Sequence, residues 1–529
     1  ISNSSIYGFY KYYKADDRQA YADVMANINK RFGDLSLSAN IGGSFTQTYY
    51  DERGFQGGLK DMSNVFSLYN MTTTLDKDTY PIESGYKQRT NSIFASVEIG
   101  WKSMLYMTLT GRNDWDSALI NTEQSSFFYP SIGLSGVISE MVKLPKAITY
   151  LKVRGSFASV GAPIPKNLSS NKTYEWDPAT SQWKLQTYRP LPKLYPERTN
   201  SWEAGLNAKF FNNSLSLEVT WYKANTRKQT FQVPLSGTAV YATMYAQSGN
   251  IENKGMEFSL GYNKSWGDFS WNSNLTFSFN KNKIVELLDD AVDDEGNHYS
   301  LNEIDKGGIG SAKVILRKGG SMGDMYVTNR LKRDNEGNVY IDKASQNVKK
   351  EDIKNSDEFI HIGSVLPKSN LGFRNDFSYK GISLGFMLAA RFGGIVISPT
   401  QAVMDQFGVS KVTALARDNE GVPVNNGKVD PQTYYTEVGG ISGLMSNYVY
   451  SATNVRLQEL SVGYSLPAKW FNNKCNLSLS ITGHNLWMIY NKAPFDPEAT
   501  ASTGTYYQGV DYFMQPSLRS WGFNVKIQF

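Results

Sequence analysis

The sequence predicts an all-β chain, a transmembrane antiparallel β-barrel contributing about 15 strands, and three observations carry that prediction. The last nine residues, Trp521 to Phe529, alternate strictly: Trp521, Phe523, Val525, Ile527 and Phe529 share one face, and Gly522, Asn524, Lys526 and Gln528 the other. The same alternation recurs in stretches of about ten residues along the whole chain. The connections between those stretches are short and long in turn. A soluble sheet edge that presented such an aromatic face would invite aggregation. A strand between lipid and a wet lumen needs it.

Taken in order, the alternating stretches lie near 20–31, 34–46, 88–101, 103–114, 126–139, 148–160, 199–211, 213–229, 247–263, 267–283, 363–379, 381–393, 451–466, 474–487 and 518–529. Typical faces are Ile93, Ala95, Val97, Ile99 and Trp101; Leu215, Leu217, Val219 and Trp221; and Met256, Phe258, Leu260 and Tyr262. These faces carry no charge, whereas the opposite ones carry Glu98, Glu203, Lys209, Glu218, Glu257 and Arg391. A Lys or Arg facing mid-bilayer lipid costs about 2–4 kcal/mol, which explains the one-sided exclusion. A water-soluble barrel has the opposite sense, apolar inside and polar outside.

The long connections expected to be extracellular are 47–87, 115–125, 161–198, 230–246, 284–362, 394–450 and 488–517, with 1–19 as the tail of a further one and 20–529 as the barrel portion. Aromatics gather at the short turns (Phe32, Trp101, Phe210, Phe211, Trp266, Tyr379, Trp470 and Phe471), as an interfacial girdle requires. An odd, open set of strands leaves an edge that lipid does not tolerate. The expectation is therefore the C-terminal part of a larger barrel.

Composition narrows the function classes. Charged residues are 19% and aromatics 13%, with 33 Tyr and 45 Gly, a strand, turn and girdle composition. No run approaches the ~20 apolar residues of a membrane helix. The single cysteine, Cys475, rules out an internal disulfide framework, and His298, His361 and His484 lack metal-ligand spacing. A net charge of +5 spread along the chain gives no sign of nucleic acid.

No nucleophile–base–acid set stands out, so no enzyme is expected, and His484 reads as a lumen or rim residue. The acidic stretches 293–297, 334–338 and 418–421 hold oxygen donors of the kind calcium takes. Asn or Asp followed by Gly between extended segments is equally a tight turn, the reading preferred here. No metal or other cofactor is expected.

Binding is expected in the loops. Tyr174, Trp176, Trp183 and Tyr188 in 161–198, Tyr434 and Tyr435 in 394–450, and Tyr506 and Tyr507 in 488–517 are the candidate ligand contacts. Aromatic rings beside polar groups suit sugars, whose C–H faces stack while hydroxyls are hydrogen-bonded, or peptides. The alternative is that the rings pack the loops' own small cores or face another protein.

Short segments along the chain resemble the SusC/RagA branch of the TonB-dependent outer-membrane transporters of Bacteroidetes. They include Gly111-Arg112-Asn113-Asp114-Trp115, Tyr129-Pro130-Ser131-Ile132-Gly133, Pro196-Glu197-Arg198-Thr199, Gly249-Asn250-Ile251-Glu252-Asn253-Lys254-Gly255-Met256-Glu257, Gly363-Ser364-Val365-Leu366-Pro367-Lys368, Phe495-Asp496-Pro497-Glu498 and the closing aromatic strand. The resemblance implies a 22-stranded barrel with an N-terminal plug, of which this chain would hold strands 8 through 22. It implies import of oligosaccharides or oligopeptides across the bacterial outer membrane. Its partners would be a SusD-like lipoprotein over the loops, the TonB–ExbB–ExbD motor acting through an N-terminal region this chain lacks, and outer-membrane lipid, with transporter–lipoprotein pairs able to dimerise. The rival readings are a passive channel and a surface adhesion protein.

Overall fold

The computed structural model describes residues 6–529 except 73–78, 121, 123, 163–167, 169–173, 178–181, 186–187, 190–194, 235–242, 293–297, 343, 345–346, 426, 473 and 503–508; at 174–177, 184–185, 188–189, 232–234, 243–244, 246, 248, 290–292 and 298–299 it describes the backbone alone. Its main element is an antiparallel sheet whose neighbours follow chain order. The strands are β1 (Phe9–Phe32), β2 (Leu35–Gly58), β3 (Tyr80–Trp101), β4 (Leu105–Asp116), β5 (Ser126–Val137), β6 (Ile148–Ala162), β7 (Glu197–Phe210), β8 (Leu215–Pro234), β9 (Thr243–Trp266), β10 (Phe269–Glu286), β11 (Ser369–Tyr379), β12 (Ile382–Phe392), β13 (Asn454–Ser465), β14 (Asn476–Asn491) and β15 (Ser520–Gln528). Among the described residues β1 pairs only with β2, and β15 only with β14, so both edges stay open. A two-residue strand, Tyr188–Arg189, lies parallel to β9 at Thr243 and Met244.

The short turns explain the register. Lys380 and Gly381 have positive φ (47° and 89°) between Tyr379 and Ile382, which are directly paired. Two successive positive-φ residues make the turn whose twist matches that of a hairpin. Gly267 does similar work between Trp266 and Phe269. Register then places whole faces: Leu206, Val219, Phe258 and Phe277 form one cross-strand row, and Ala204, Trp221, Met256 and Phe279 the next. The outward side chains Trp202, Trp221, Ile93, Leu134, Trp521 and Phe523 are exposed, a continuous apolar band that only hydrocarbon would cover. Among the described residues no helix is long and apolar enough to cross a membrane.

The strands run further than their apolar pattern. β1 begins at Phe9, inside the segment expected to be loop tail, and β2 continues to Gly58. Above the lipid band both faces of a strand are polar, so hydropathy no longer separates strand from loop, while cross-strand hydrogen bonds continue.

Beyond the rim of β10–β15 the long connections build a folded lobe. Glu303–Ile309, Ala312–Arg317, Asp324–Val327 and Ile360–Ser364 form a four-stranded antiparallel sheet. The helices Pro399–Gln406 and Pro431–Val438 pack on it and Lys411–Asp418 packs on the second of them, each started by a side-chain cap from Ser398, Ser410 or Asp430. Val314, Met325, Val327, Ile397, Ala402, Val438, Leu444, Met445 and Tyr448 form the shared core. Each fully buried Leu, Ile, Val or Met there contributes roughly 1.5–3 kcal/mol. A second cluster (Phe231, Ile251, Ile284, Leu287, Leu288, Ile304, Leu316 and Met322) fastens the lobe to the tops of β8–β10.

Candidate functional site: the inner wall and the extracellular lobe

Strand alternation puts the polar partners of the lipid-facing residues on the concave side. On β4 the segment from Gly111 to Asp116 sends Arg112, Asp114 and Asp116 inward, while Trp115 stays on the outer face, exposed. Arg112 Nε donates to Asp114 Oδ1 at 2.7 Å and Arg112 Nη2 to Ser92 Oγ at 2.7 Å. The Tyr129 hydroxyl also donates to Asp114. Asp116 accepts from Thr90 Oγ1 at 2.6 Å and from Gln88 Nε2 at 3.1 Å. Both carboxylates are buried and fully occupied, so this network stiffens the wall across β3–β5 rather than offering a free ligand group.

A concavity of about 730 Å³ opens on the inner wall of β6–β11. Arg154, Glu203, Glu218, Thr220, Tyr222, Glu257 and Ser259 line it, with Thr276, Ser278 and Asn370 opposite. Arg154 Nη2 lies 3.3 Å from Glu218 Oε1 and donates to Thr220 Oγ1 at 2.7 Å. Three exposed carboxylates against one guanidinium make this stretch acidic and wet. Its groups can hydrogen-bond a passing polar chain; they include no nucleophile with an adjacent base.

His484 faces the same side. Its Nδ1 is 3.8 Å from Glu459, which also meets Arg374 at 3.3 Å. This is an inner-wall charge network, in keeping with the lumen reading of His484.

The Phe495-Asp496-Pro497-Glu498 segment ties the last loop to the barrel. Arg456 on β13 meets Asp496 at 2.9 Å and Glu498 at 3.3 Å, and Asn454 Nδ2 donates to Glu498 at 3.1 Å. Burial raises the Asp496 pKa, but the Ser517 hydroxyl, the Glu498 N–H and the Arg456 guanidinium outweigh it and hold the carboxyl below its usual range. Lobe and last loop also meet through Ser398 Oγ, which donates to Asp511 at 2.6 Å.

The aromatic candidates separate by position. Trp183 is 67% exposed on a short hairpin, Tyr174–Asp177 with Gln182–Leu185. The backbones of Tyr174 and Trp176 belong to the same hairpin, and Tyr188 lies on the strand beside β9. Tyr506 and Tyr507 lie outside the described residues. Tyr434 is buried in the lobe core, so its ring is not presented to a ligand at the surface. Tyr435 packs edge-on against it at 5.1 Å and borders a hollow with Asp405, Phe407, Arg417 and Asp430. Burial pushes the Tyr435 hydroxyl up to about 12.

The acidic stretches also separate. In 334–338 the Asp334 carboxylate accepts from the Glu336 and Asn338 N–H groups at 3.0 and 2.8 Å, a self-closed turn. The 418–421 stretch is not a turn between strands but the C-terminal end of the helix Lys411–Asp418, with Glu420 and Gly421 at positive φ. The 293–297 stretch lies outside the described residues. Among the described residues no group of three or more His, Cys, Asp or Glu side chains comes together as a metal-ligand set.

Sequence reasoning missed the Arg112–Asp114–Asp116 network and the Arg456–Asp496 lock. The first was readable, because alternation through Trp115 puts its neighbours inward. The second joins residues 40 apart and left no local signal.

Comparison with known proteins accords with this architecture. The family model described as TonB dependent receptor-like, beta-barrel, matches residues 2–311, more than half of the chain. TonB-dependent receptor P3 of Formosa agariphila is 26% identical over 541 residues, covering 95% of this chain and 51% of the relative. TonB-dependent receptor SusC of Bacteroides thetaiotaomicron is 23% identical over 470 residues, covering 83% and 43%. The chain thus spans about half the length of the curated relatives it matches. Among solved structures, the RagAB peptide importer in its open-open state superposes with a TM-score of 0.73 at 19% identity, covering 97% of this chain and 54% of that one. The relatives bear the names of receptors and importers, not of enzymes. With its apolar outer band, polar inner wall and antiparallel strands in chain order, the chain belongs to the TonB-dependent receptor β-barrel family.

Proposed function

We propose that this chain forms the wall and extracellular loops of a multi-pass outer-membrane importer for oligosaccharides or oligopeptides. The observation that carries the reading is the two-faced sheet: an apolar band outside and an acidic, hydroxyl-rich wall inside, matched over nearly its whole length by the RagAB barrel. A polar inner wall of this kind supports passage of a hydrated, hydrogen-bonding solute. The chain's part in the mechanism is binding and guided passage without covalent chemistry. Energy coupling through TonB would use a region outside the residues present here.

A SusD-like lipoprotein is the proposed partner on the lobe. Phe407, Val409, Val412 and Leu415, on and between the helices Pro399–Gln406 and Lys411–Asp418, are about half exposed or more and lie beyond the rim, away from the lipid band. Exposed apolar side chains gathered on a folded lobe favour a protein contact.

The test is uptake by cells carrying the full-length protein. Labelled oligosaccharides and oligopeptides should enter only with an intact proton-motive force and the lipoprotein present. Entry at the same rate without either contradicts the proposal and favours a passive channel.

A further inference from the structure

The outer face of β7–β10 changes character abruptly above the lipid band. One cross-strand row, Trp221–Met256–Phe279, is apolar; two residues further up, the next is Lys223–Lys254–Lys281. Trp202 sits beside Lys223 in that row, 57% exposed. The row above holds Glu252 paired with Lys283, and the one beyond it Arg198 paired with Arg227. With Glu286, which pairs with Asn250 at the end of that last row, the face gathers six cations and two carboxylates on four neighbouring strands.

Sheet geometry makes this arrangement costly if nothing else is present. Directly opposed side chains have Cβ atoms about 5 Å apart, and like charges at that spacing repel. Glu252, itself buried, offsets part of the repulsion: its Oε2 is 3.0 Å from Lys223 Nζ and its Oε1 is 3.1 Å from Lys254 Nζ. Lys281, Lys283 and Arg227 are exposed and have no carboxylate partner among the described residues. The rows rise at about 3.4 Å per residue, so the lysines begin within about 7 Å of the last lipid-facing row. Lysine stems of this length lie along apolar surface while the ammonium groups reach the polar layer.

β8 and β10 rise away from the tight-turn end of the barrel, so the patch stands at the end that carries the long loops. Anionic groups held at the height where hydrocarbon ends are lipid headgroups. We propose that Lys223, Lys254, Lys281 and Lys283, with Arg198 and Arg227, form a docking site for phosphate groups of outer-leaflet lipid. The site rests on the outer-membrane placement proposed above, and not on what the barrel transports.

The test uses the full-length protein in neutral detergent, with diphosphoryl lipid A, dephosphorylated lipid A and inorganic phosphate as probes. Binding is read by native mass spectrometry and by thermal shift. Phosphorylated lipid A is expected to bind at least tenfold more tightly than the dephosphorylated form, with affinity falling as salt rises. The combined Lys223→Gln, Lys254→Gln, Lys281→Gln and Lys283→Gln variant should lose that preference. Glu252→Gln frees two ammonium groups and should strengthen binding several-fold, which keeps the test sound if the fourfold variant folds poorly. Equal binding of the two lipid A forms, an unchanged preference in the fourfold variant, or complete displacement by an equal concentration of inorganic phosphate would each overturn the site. Substrate uptake should stay unchanged in the fourfold variant, so failure of the lipid site and failure of the import reading are read separately.

Discussion

Arg456 on β13 and Asp496 in the last long connection form a buried ion pair, 2.9 Å apart, with side chains only 7% and 11% exposed. Removing one member of such a pair strands the other charge in a buried site, at a cost of about 3–5 kcal/mol. Arg456→Ala should therefore release the connection from the rim while leaving the strands paired. Limited proteolysis reads this as new cleavage between 492 and 519 with the barrel core intact. Equal protease resistance in variant and parent would rule the lock out.

The same pair sets a pH dependence. The Asp496 carboxyl titrates below its unfolded value of 3.8, so it binds fewer protons folded than unfolded. Its stabilisation is present above that value and is lost as pH falls through the lower, folded pKa. Loop protection should thus weaken below about pH 4, and Asp496→Asn should lack this acid step while being weaker at neutral pH. An unchanged acid profile in Asp496→Asn would assign the step to another group.

Alternation makes a further prediction at neighbouring positions. Phe277 is on the lipid side of β10 and Thr276, exposed, on the inner wall. Phe277→Arg should cost about 2–4 kcal/mol of barrel stability, whereas Thr276→Arg should cost far less because that side chain already meets water. Urea midpoints of the full-length protein folded into bilayers check the pair. Similar losses at both positions would contradict the assignment of faces.

Two aromatic candidates should part company. Tyr434→Ala removes a ring from the lobe core and should cost about 3–5 kcal/mol, as other large aromatic truncations do. Trp183→Ala removes a ring that is 67% exposed and should cost far less stability, with its main effect on ligand affinity if the hairpin binds substrate. Thermal unfolding of the lobe together with ligand titration distinguishes the two.

The barrel strands were legible in the sequence because lipid imposes a period of two on every crossing. Each of the fifteen alternating stretches overlaps one strand of the sheet. Their upper ends were not legible: β1 and β2 extend about ten residues past the apolar pattern, into a layer where both faces meet water. The lobe was hidden for another reason. Ser398 before Pro399 and Asp430 before Pro431 are readable helix starts, but the eight-residue helices that follow are stabilised by non-local contacts with Val314, Met325 and Val327. Tyr434 shows the consequence: an aromatic in a polar-looking loop was as fit for a core as for a ligand, and only the packing places it in the core.

Alternate residues of each strand face lipid and lumen. Single cysteines along β9 in the full-length barrel, embedded in bilayers with Cys475 replaced by Ser, test this alternation. Cysteines at Glu257, Ser259 and Gly261 should react with a membrane-impermeant thiol reagent, while those at Phe258, Leu260 and Tyr262 should not and should instead be quenched by labelled lipid. Uniform reactivity along the strand, or the reverse alternation, would contradict it.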